Sequence, residues 1–303
     1  MLLPSGEDPG GKTGGVQMRR SKRILTVLAW VLLLVCAVIG ITTWLYWGNT
    51  TVGLTEITVT SDQLPEAFDG FRIAQISDLH NAQFGEGNEE LLEILRGANP
   101  DMIAFTGDII DYRTPDLSAV LDFAAKAAQI APCYYITGNH EYGAAEFSKL
   151  EAGLADAGVV VLRNRAAVLL RGEAYIRLIG MDDYAFFGSR SGEVNIARMK
   201  DRLSYFLKDG YNILLCHRCE LFPRFEEMDI DLVLAGHAHG GQVRLPFVGG
   251  LYAPDQAWFP EYDAGLYTQE QMHMVVSRGL GSSKIPLRVN NRPEMVIITL
   301  TNS

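Results

Sequence analysis

Cysteine is scarce in this chain. Cys36, Cys133, Cys216 and Cys219 are all there is in 303 residues, which excludes a disulfide framework. Cys216-x-x-Cys219 straddles His217 and lacks the helix N-terminal setting of a thiol-redox motif, so it reads as small residues beside a packed site. Positive charge is also in deficit. The chain carries −10 at pH 7; its first 23 residues hold five Lys/Arg against two Asp/Glu, a net of +3, which leaves −13 on the remainder. So acidic a body is a poor partner for nucleic acid, and none is expected. Internal repeats are lacking, as is any linker after Leu54, so residues 54–303 read as one domain.

The most telling absence is local: residues 24–47 contain no charge at all. At about 1.5 Å per residue a helix of this length reaches roughly 36 Å, more than a hydrocarbon core of about 30 Å. Trp44, Tyr46 and Trp47 supply an interfacial aromatic belt at its end. A cleaved signal peptide fits less well, because its apolar region is shorter and a small-x-small cleavage site should follow. Arg19-Arg20 is followed by Ser21-Lys22-Arg23, a poor match to a twin-arginine signal, and Cys36 has no small residue before it to suggest lipidation. Residues 1–17 are rich in Gly, Pro and polar side chains and are expected to be disordered. The basic cluster Arg19, Arg20, Lys22 and Arg23 places the N-terminus in the cytoplasm. The expected partition is a cytoplasmic tail over 1–23, a single-pass cell-membrane anchor over 24–47, and an extracytoplasmic catalytic domain over 54–303.

Within that domain strand and helix patterns alternate. Short apolar runs at 71–76, 102–105, 133–136, 159–162, 175–179, 212–216 and 232–235 read as strands, with another at 54–59. Residues 88–96, 117–130, 144–154 and 194–208 read as helices. The tail, with 272–276 and 295–300, is strand-rich. The expected fold class is α/β, two packed mixed β-sheets flanked by helices and preceded by one transmembrane helix.

Most of the strands end in chemistry. Asp78 and His80 follow 71–76; Asp108 and Asp111 follow 102–105; Asn139, His140 and Glu141 follow 133–136. His217 follows 212–216, and His237 and His239 follow 232–235. Sites in α/β sheets gather beyond the carboxyl ends of strands, and five of the six histidines sort to such positions. His237 and His239, two apart in an extended backbone, should lean to one side. Carboxylate, imidazole and amide oxygen without thiolate suit divalent first-row ions such as Mn²⁺, Fe or Zn²⁺. So many ligands exceed the needs of one ion, and two ions about 3.5–4 Å apart sharing a carboxylate accommodate them.

Asp78-x-His80, Gly107-Asp108-x-x-Asp111, Gly138-Asn139-His140-Glu141, His217 and Gly236-His237-x-His239 together resemble the five signature blocks of the calcineurin-like metallophosphoesterases. Ser277-Arg278-Gly279-Leu280-Gly281 and Asn291-Arg292-Pro293-Glu294 are similar to the membrane-anchored bacterial phosphohydrolase branch. The resemblance implies that Asp78, His80 and His239 bind one metal, that Asn139, His217 and His237 bind the other, and that Asp108 bridges them. It implies a hydroxide between the metals attacking phosphorus in line, with His140, not a ligand, protonating the leaving oxygen or stabilising the transition state. Asp111 would orient a ligand; Glu141 would orient His140 or cap the following helix. Cys219 departs from the proline expected after His-Arg.

The activity expected is therefore dinuclear-metal-dependent hydrolysis of a phosphodiester or pyrophosphate. Phosphomonoester hydrolysis, or a catalytically silent scaffold at the membrane, is the alternative; a silent member would lack ligands or the acid histidine, and all are present. After the last histidines the chain runs Leu245-Pro246-Phe247-Val248-Gly249-Gly250-Leu251-Tyr252-Ala253-Pro254, then Trp258-Phe259-Pro260. These apolar residues either pack the back of the second sheet or wall the metals for a lipid-linked phosphoester. The orientation is testable: a reporter fused after Ser303 is expected to be active only outside the cytoplasm, and activity inside would reverse the assignment.

Overall fold

The computed structural model describes residues 13–113, 116–282 and 286–303, with side chains from Lys22 onward. Helix α1 (Thr13–Thr50) contains the chargeless run, and Lys22–Thr50 within it is long and apolar enough to cross a membrane. Of the stretch expected to be disordered, residues 13–17 are helical and residues 1–12 lie outside the described residues, as do the side chains of Arg19 and Arg20. The chain divides after Trp47, and Gly48–Ser303 forms a compact unit.

Two six-stranded sheets make up that unit. The first runs β1 (Gly53–Ser61), β16 (Glu294–Asn302), β2 (Arg72–Ile76), β3 (Met102–Thr106), β4 (Cys133–Ile136), β5 (Val160–Val161). Strands β2 to β5 are parallel, while β16 is antiparallel to β2 and parallel to β1. The second sheet runs β14 (Gly265–Gln269), β15 (Met272–Val276), β9 (Leu232–Gly236), β8 (Asn212–Arg218), β7 (Ala174–Gly180), β6 (Arg165–Arg171). It is parallel from β15 to β7 with an antiparallel strand at each edge. Two short hairpins, β10 (Arg244–Leu245) with β11 (Gly249–Gly250) and β12 (Tyr252–Ala253) with β13 (Ala257–Trp258), follow β9.

The two-residue period of a strand sends alternate side chains to opposite faces. On β9, Leu232 and Leu234 enter the core between the sheets, while Val233 and Ala235 pack outward. On β2, Ile73 faces the other sheet and Ala74 and Ile76 face helices. Strands buried on both faces read as continuous apolar runs, which is why the central ones are plain in the sequence. Helices α2 (Glu89–Ala98), α3 (Leu117–Ala128) and α5 (Phe147–Asp156) cover the first sheet, and α6 (Gly192–Ser204) covers the second. Asp116 starts α3 by accepting from the amides of Ser118 and Ala119, which satisfies donors the helix leaves open.

Two expectations change. The helix expected over 144–154 is α5, which starts at Phe147 after an extended Ala144, and a short helix not expected, α4 (Asn139–Gly143), precedes it. Edge strands β6 and β14 were not legible, because each has a solvent-facing side and β6 reads exposed–exposed–intermediate without a clean apolar face. Near the edge where the parallel strands end, Gln75 ties the sheets. Its Nε2 donates to Thr106 Oγ1 at 3.1 Å and to the Ala235 carbonyl at 2.8 Å, so the loops after β2, β3 and β9 are held in common.

Candidate metal centre

The chain turns sharply where these strands end. Asp78, His80, Asp108, His237 and His239 all have left-handed backbone, with φ of 50°, 46°, 51°, 69° and 50°. Such a conformation costs a residue with a Cβ of order 1 kcal/mol or more, so something must hold it. The loops hold each other: Asp78 N–H donates to the Gly107 carbonyl and His80 N–H to the Asp108 carbonyl, both at 3.0 Å. Glu141, fully buried, gathers the loops after β3 and β4. Its carboxylate accepts from the amides of Asp108 and Ile109 at 2.9 Å, Ile110 at 3.3 Å and Gly138 at 2.6 Å. Burial and the nearby charge of Asp108 push the Glu141 carboxyl up to about 8, against the pull of the amides. Glu141 thus caps α4, the second of its two expected roles, and organises the loop backbone rather than orienting His140.

Within this frame the candidate ligands converge. His80 Nε2 lies 3.2 Å from His239 Nε2, and Asp78 Oδ1 lies 3.4 Å from His239 Nε2. Asp108 Oδ2 lies 3.6 Å from His80 Nε2 and 3.4 Å from His217 Nε2. Ligand atoms of Asp78, His80 and His239 lie within 4.8 Å of one another, and so do those of Asp108, His217 and His237. Asn139 lines the same cavity of about 230 Å³, together with Asp108, His140, Arg218, His237 and His239. All seven candidate ligands are therefore brought together. His237 and His239 do not lean to one side, however. Their left-handed backbone takes them out of the extended geometry, and they part, His239 to Asp78 and His80, His237 to His217 and Arg218.

The donor set fits divalent ions. Asn139 Oδ1 and His217 Nε2 are buried without a hydrogen-bond partner among the described residues, and an orphaned buried polar atom is costly. His217 Nδ1 sits 2.8 Å from the Thr106 carbonyl, which directs Nε2 inward, where an ion would displace its proton. Burial lowers His80 to about 4 and His239 to about 3, outweighing the neighbouring carboxylates, so both rings are in the neutral, ligating form. At His217 the balance reverses: burial opposes the charge, but Asp108 and Asp78 lift it to about 10. Asp78 is also pressed upward by burial, yet His239 and His217 hold it below the usual carboxylate range.

His140 and Asn139 leave α4 in different directions, as adjacent helical residues must. The His140 backbone N–H donates to Asp108 Oδ1 at 2.7 Å, and its ring lies edge-on to His80, with centroids 4.4 Å apart, and 4.9 Å from that of Tyr112. Asp111 faces His140, at 3.6 Å, and Arg113, whose Nε lies 2.9 Å from Oδ1. Three further residues were not singled out by motif. Arg218, next to His217, lies on the cavity wall with Asp183 Oδ2 2.5 Å from its Nε. Asp255 bonds Arg218 and, at 3.1 Å, His237 Nε2. Arg288 is fully buried, 3.5 Å from His239 Nδ1. Adjacency to His217 could have flagged Arg218; the other two come from distant loops and had no local signal.

The apolar segment after β9 does not pack the back of the second sheet. Leu245, Phe247, Val248, Trp258 and Phe259 are exposed, Gly250 and Ala253 are buried, and Tyr252 and Pro254 line the cavity.

Residues 71–241 match the calcineurin-like phosphoesterase family. An uncharacterized metallophosphoesterase of Bacillus subtilis (strain 168), YkuE, is 32% identical over 256 residues, spanning 82% of this chain and 85% of its own length. The phosphodiesterase YaeI of Escherichia coli (strain K12) is 29% identical over 238 residues, 76% of this chain and 82% of its own. A Danio rerio protein named as a transmembrane protein with metallophosphoesterase domain is 27% identical over 291 residues, 91% of this chain and 62% of its own.

The closeness of these loops can be tested at Gly236. A Cβ there would lie 2.0 Å from Ser77 Oγ and 2.3 Å from Asp78 Oδ2. Gly236→Ala is expected to displace Asp78 and lower metal content on purification while the protein still folds; full metal occupancy would show that Asp78 tolerates the shift.

Proposed function

The chain belongs to the calcineurin-like phosphoesterases, and we propose that it hydrolyses phosphodiesters or pyrophosphates in a lipid-linked substrate, using two divalent ions. Metal-dependent phosphoester hydrolysis follows from the family and the His/Asp clusters. The observation that carries the dinuclear reading is the position of Asp108, whose Oδ2 stands between His80 and His217 at 3.6 and 3.4 Å. In this reading Asp78, His80 and His239 hold one ion, Asn139, His217 and His237 the other, and Asp108 both. Bound there, Mn²⁺, Fe or Zn²⁺ would activate a water for in-line attack and neutralise charge on the phosphoryl oxygens.

The chain's own groups supply the rest. Arg218 adds a fixed positive charge to the cavity wall, where a phosphoryl oxygen would lie. His140 lines the cavity and its ring groups with His80 and Asp108; in this reading it is not a ligand and gives a proton to the leaving oxygen. Burial lowers His140, and the Asp111 carboxylate 3.6 Å from its Nδ1 opposes that by favouring the protonated ring. Tyr252 and Pro254 make one side of the cavity apolar, which supports an amphiphilic ester arm. Residues 1–23 would be cytoplasmic, 24–47 would span the membrane, and 54–303 would be the catalytic domain outside the cytoplasm. Nitrophenyl mono- and diesters, assayed with each metal, test the reaction class; a preference for monoesters would favour the phosphomonoesterase alternative.

Asp108→Asn is expected to reduce the content of both ions, and His237→Ala that of one, in elemental analysis of the purified variants. Two full equivalents in Asp108→Asn would rule out the bridge. His140→Ala should keep its metals and lose on the order of 10²–10⁴ in kcat, the usual contribution of a positioned acid. That loss should shrink as the leaving group improves, and equal losses for alkyl and nitrophenyl esters would argue against proton donation.

A further inference from the structure

Two hairpins, β10–β11 and β12–β13, follow the loop that carries His237 and His239; Gly250 packs against Gly241, and Tyr252 lines the cavity. Between Arg244 and Asp255 the chain carries no charge. Phe247 is 109% exposed and Trp258 65%, with Leu245, Val248 and Phe259 exposed beside them. Phe247 and Phe259 also have left-handed backbone, with φ of 67° and 55°, a conformation that bulky residues rarely adopt. Strain and exposure of large apolar side chains thus coincide on these two hairpins, and exposed apolar patches mark recognition surfaces.

The point where the chain reaches the domain identifies the partner. Gly53 pairs with Glu294 at the start of β16, and β16 runs antiparallel to β2. The first strand therefore begins at the edge where β2 ends in Asp78. Asn49 confirms the neighbourhood: its side chain accepts from the Arg288 amide at 2.7 Å and donates to the Arg288 carbonyl at 2.9 Å, and Arg288 reaches His239. Asn49 is two residues past the expected anchor, 24–47, a span of about 7 Å at most. The domain is thus tethered on its catalytic edge, the edge that carries the apolar hairpins.

We propose that these two hairpins rest in the lipid interface of the membrane that anchors the chain, so that the cavity opens at headgroup level. The inference deepens the reading of a lipid-linked substrate and rests on residues 24–47 spanning the membrane. Trp, Tyr and Phe side chains favour this interfacial layer. With −13 on the chain beyond residue 23, attraction to anionic lipid cannot drive the contact, so it is apolar and insensitive to salt. A phosphoester in the headgroup layer would meet the cavity through the wall made by Tyr252 and Pro254 without leaving the bilayer.

The test uses the full-length protein in phosphatidylcholine liposomes. In a Cys36→Ala background, Val248→Cys carries an environment-sensitive fluorophore, and the lipids carry nitroxides at a shallow acyl position. A Leu170→Cys control lies on β6 opposite Tyr175, at the other end of the second sheet. The label at 248 should be quenched at least about twofold more than that at 170, equally at low and high salt. Equal quenching at the two positions overturns the proposal, and so does cross-linking between copies through position 248 without lipid quenching, which would make a second copy the occupant. This readout needs no turnover, so it can fail independently of the phosphoesterase reading. In the same liposomes, Phe247→Ser combined with Trp258→Ser should slow hydrolysis of a bilayer-embedded phosphodiester by about tenfold or more, with the rate on a soluble nitrophenyl diester kept. Equal losses on both would overturn the link between docking and substrate.

Discussion

Taking a carboxylate out of water costs several kcal/mol unless charge or hydrogen bonds replace what water supplied. This domain does it twice within one cavity, at Asp78 and Asp108, both buried. Much of the local architecture answers that cost. The His237 amide donates to both oxygens of Asp78, and Ser77 Oγ lies 2.6 Å from Oδ2. The His140 amide donates to Asp108, and His217 sits close enough to take up positive charge between the two. Imidazoles that stay neutral and an unpartnered amide oxygen complete a pocket whose chemistry is complementary to cations.

Holding that pocket takes backbone that the side chains alone would not choose. Five of its residues sit in the left-handed region, and they do so because neighbouring loops bond one another and because Glu141 collects four amides from two of them. A second buried carboxylate system thus stands behind the first. It touches no reacting atom, but it sets where Asp108 and His140 lie. The same division of labour recurs on the other sheet, where Asp183 and Asp255 hold Arg218 and Asp255 also reaches His237.

The apolar material is sorted just as sharply. Residues such as Leu232, Leu234 and Ile73 face inward between the sheets and carry the fold, whereas Phe247 and Trp258 stand in solvent on the hairpins that follow β9. Hydrophobicity alone does not separate the two groups. What separates them is that the first lie on strands buried on both faces, while the second lie on hairpins too short to cover themselves.

The positions of the central strands along the chain, the chargeless segment and the seven residues proposed as ligands were legible in the sequence, because central parallel strands leave continuous apolar runs and the polar residues follow directly where those runs stop. The edge strands β6 and β14 were not, since neither carries a continuous apolar run, although β1, also at an edge, shows its alternation. Arg218, Asp255 and Arg288 escaped notice for a different reason: their importance comes from contact with His237 and His239 across the fold, not from spacing along the chain. Only tertiary structure decided that Glu141 serves the loops rather than His140, that His237 and His239 part company, and that the aromatic segment faces outward. Local sequence determines periodicity and residue chemistry; the direction of a side chain in a strained turn is set by what the rest of the fold bonds to its backbone.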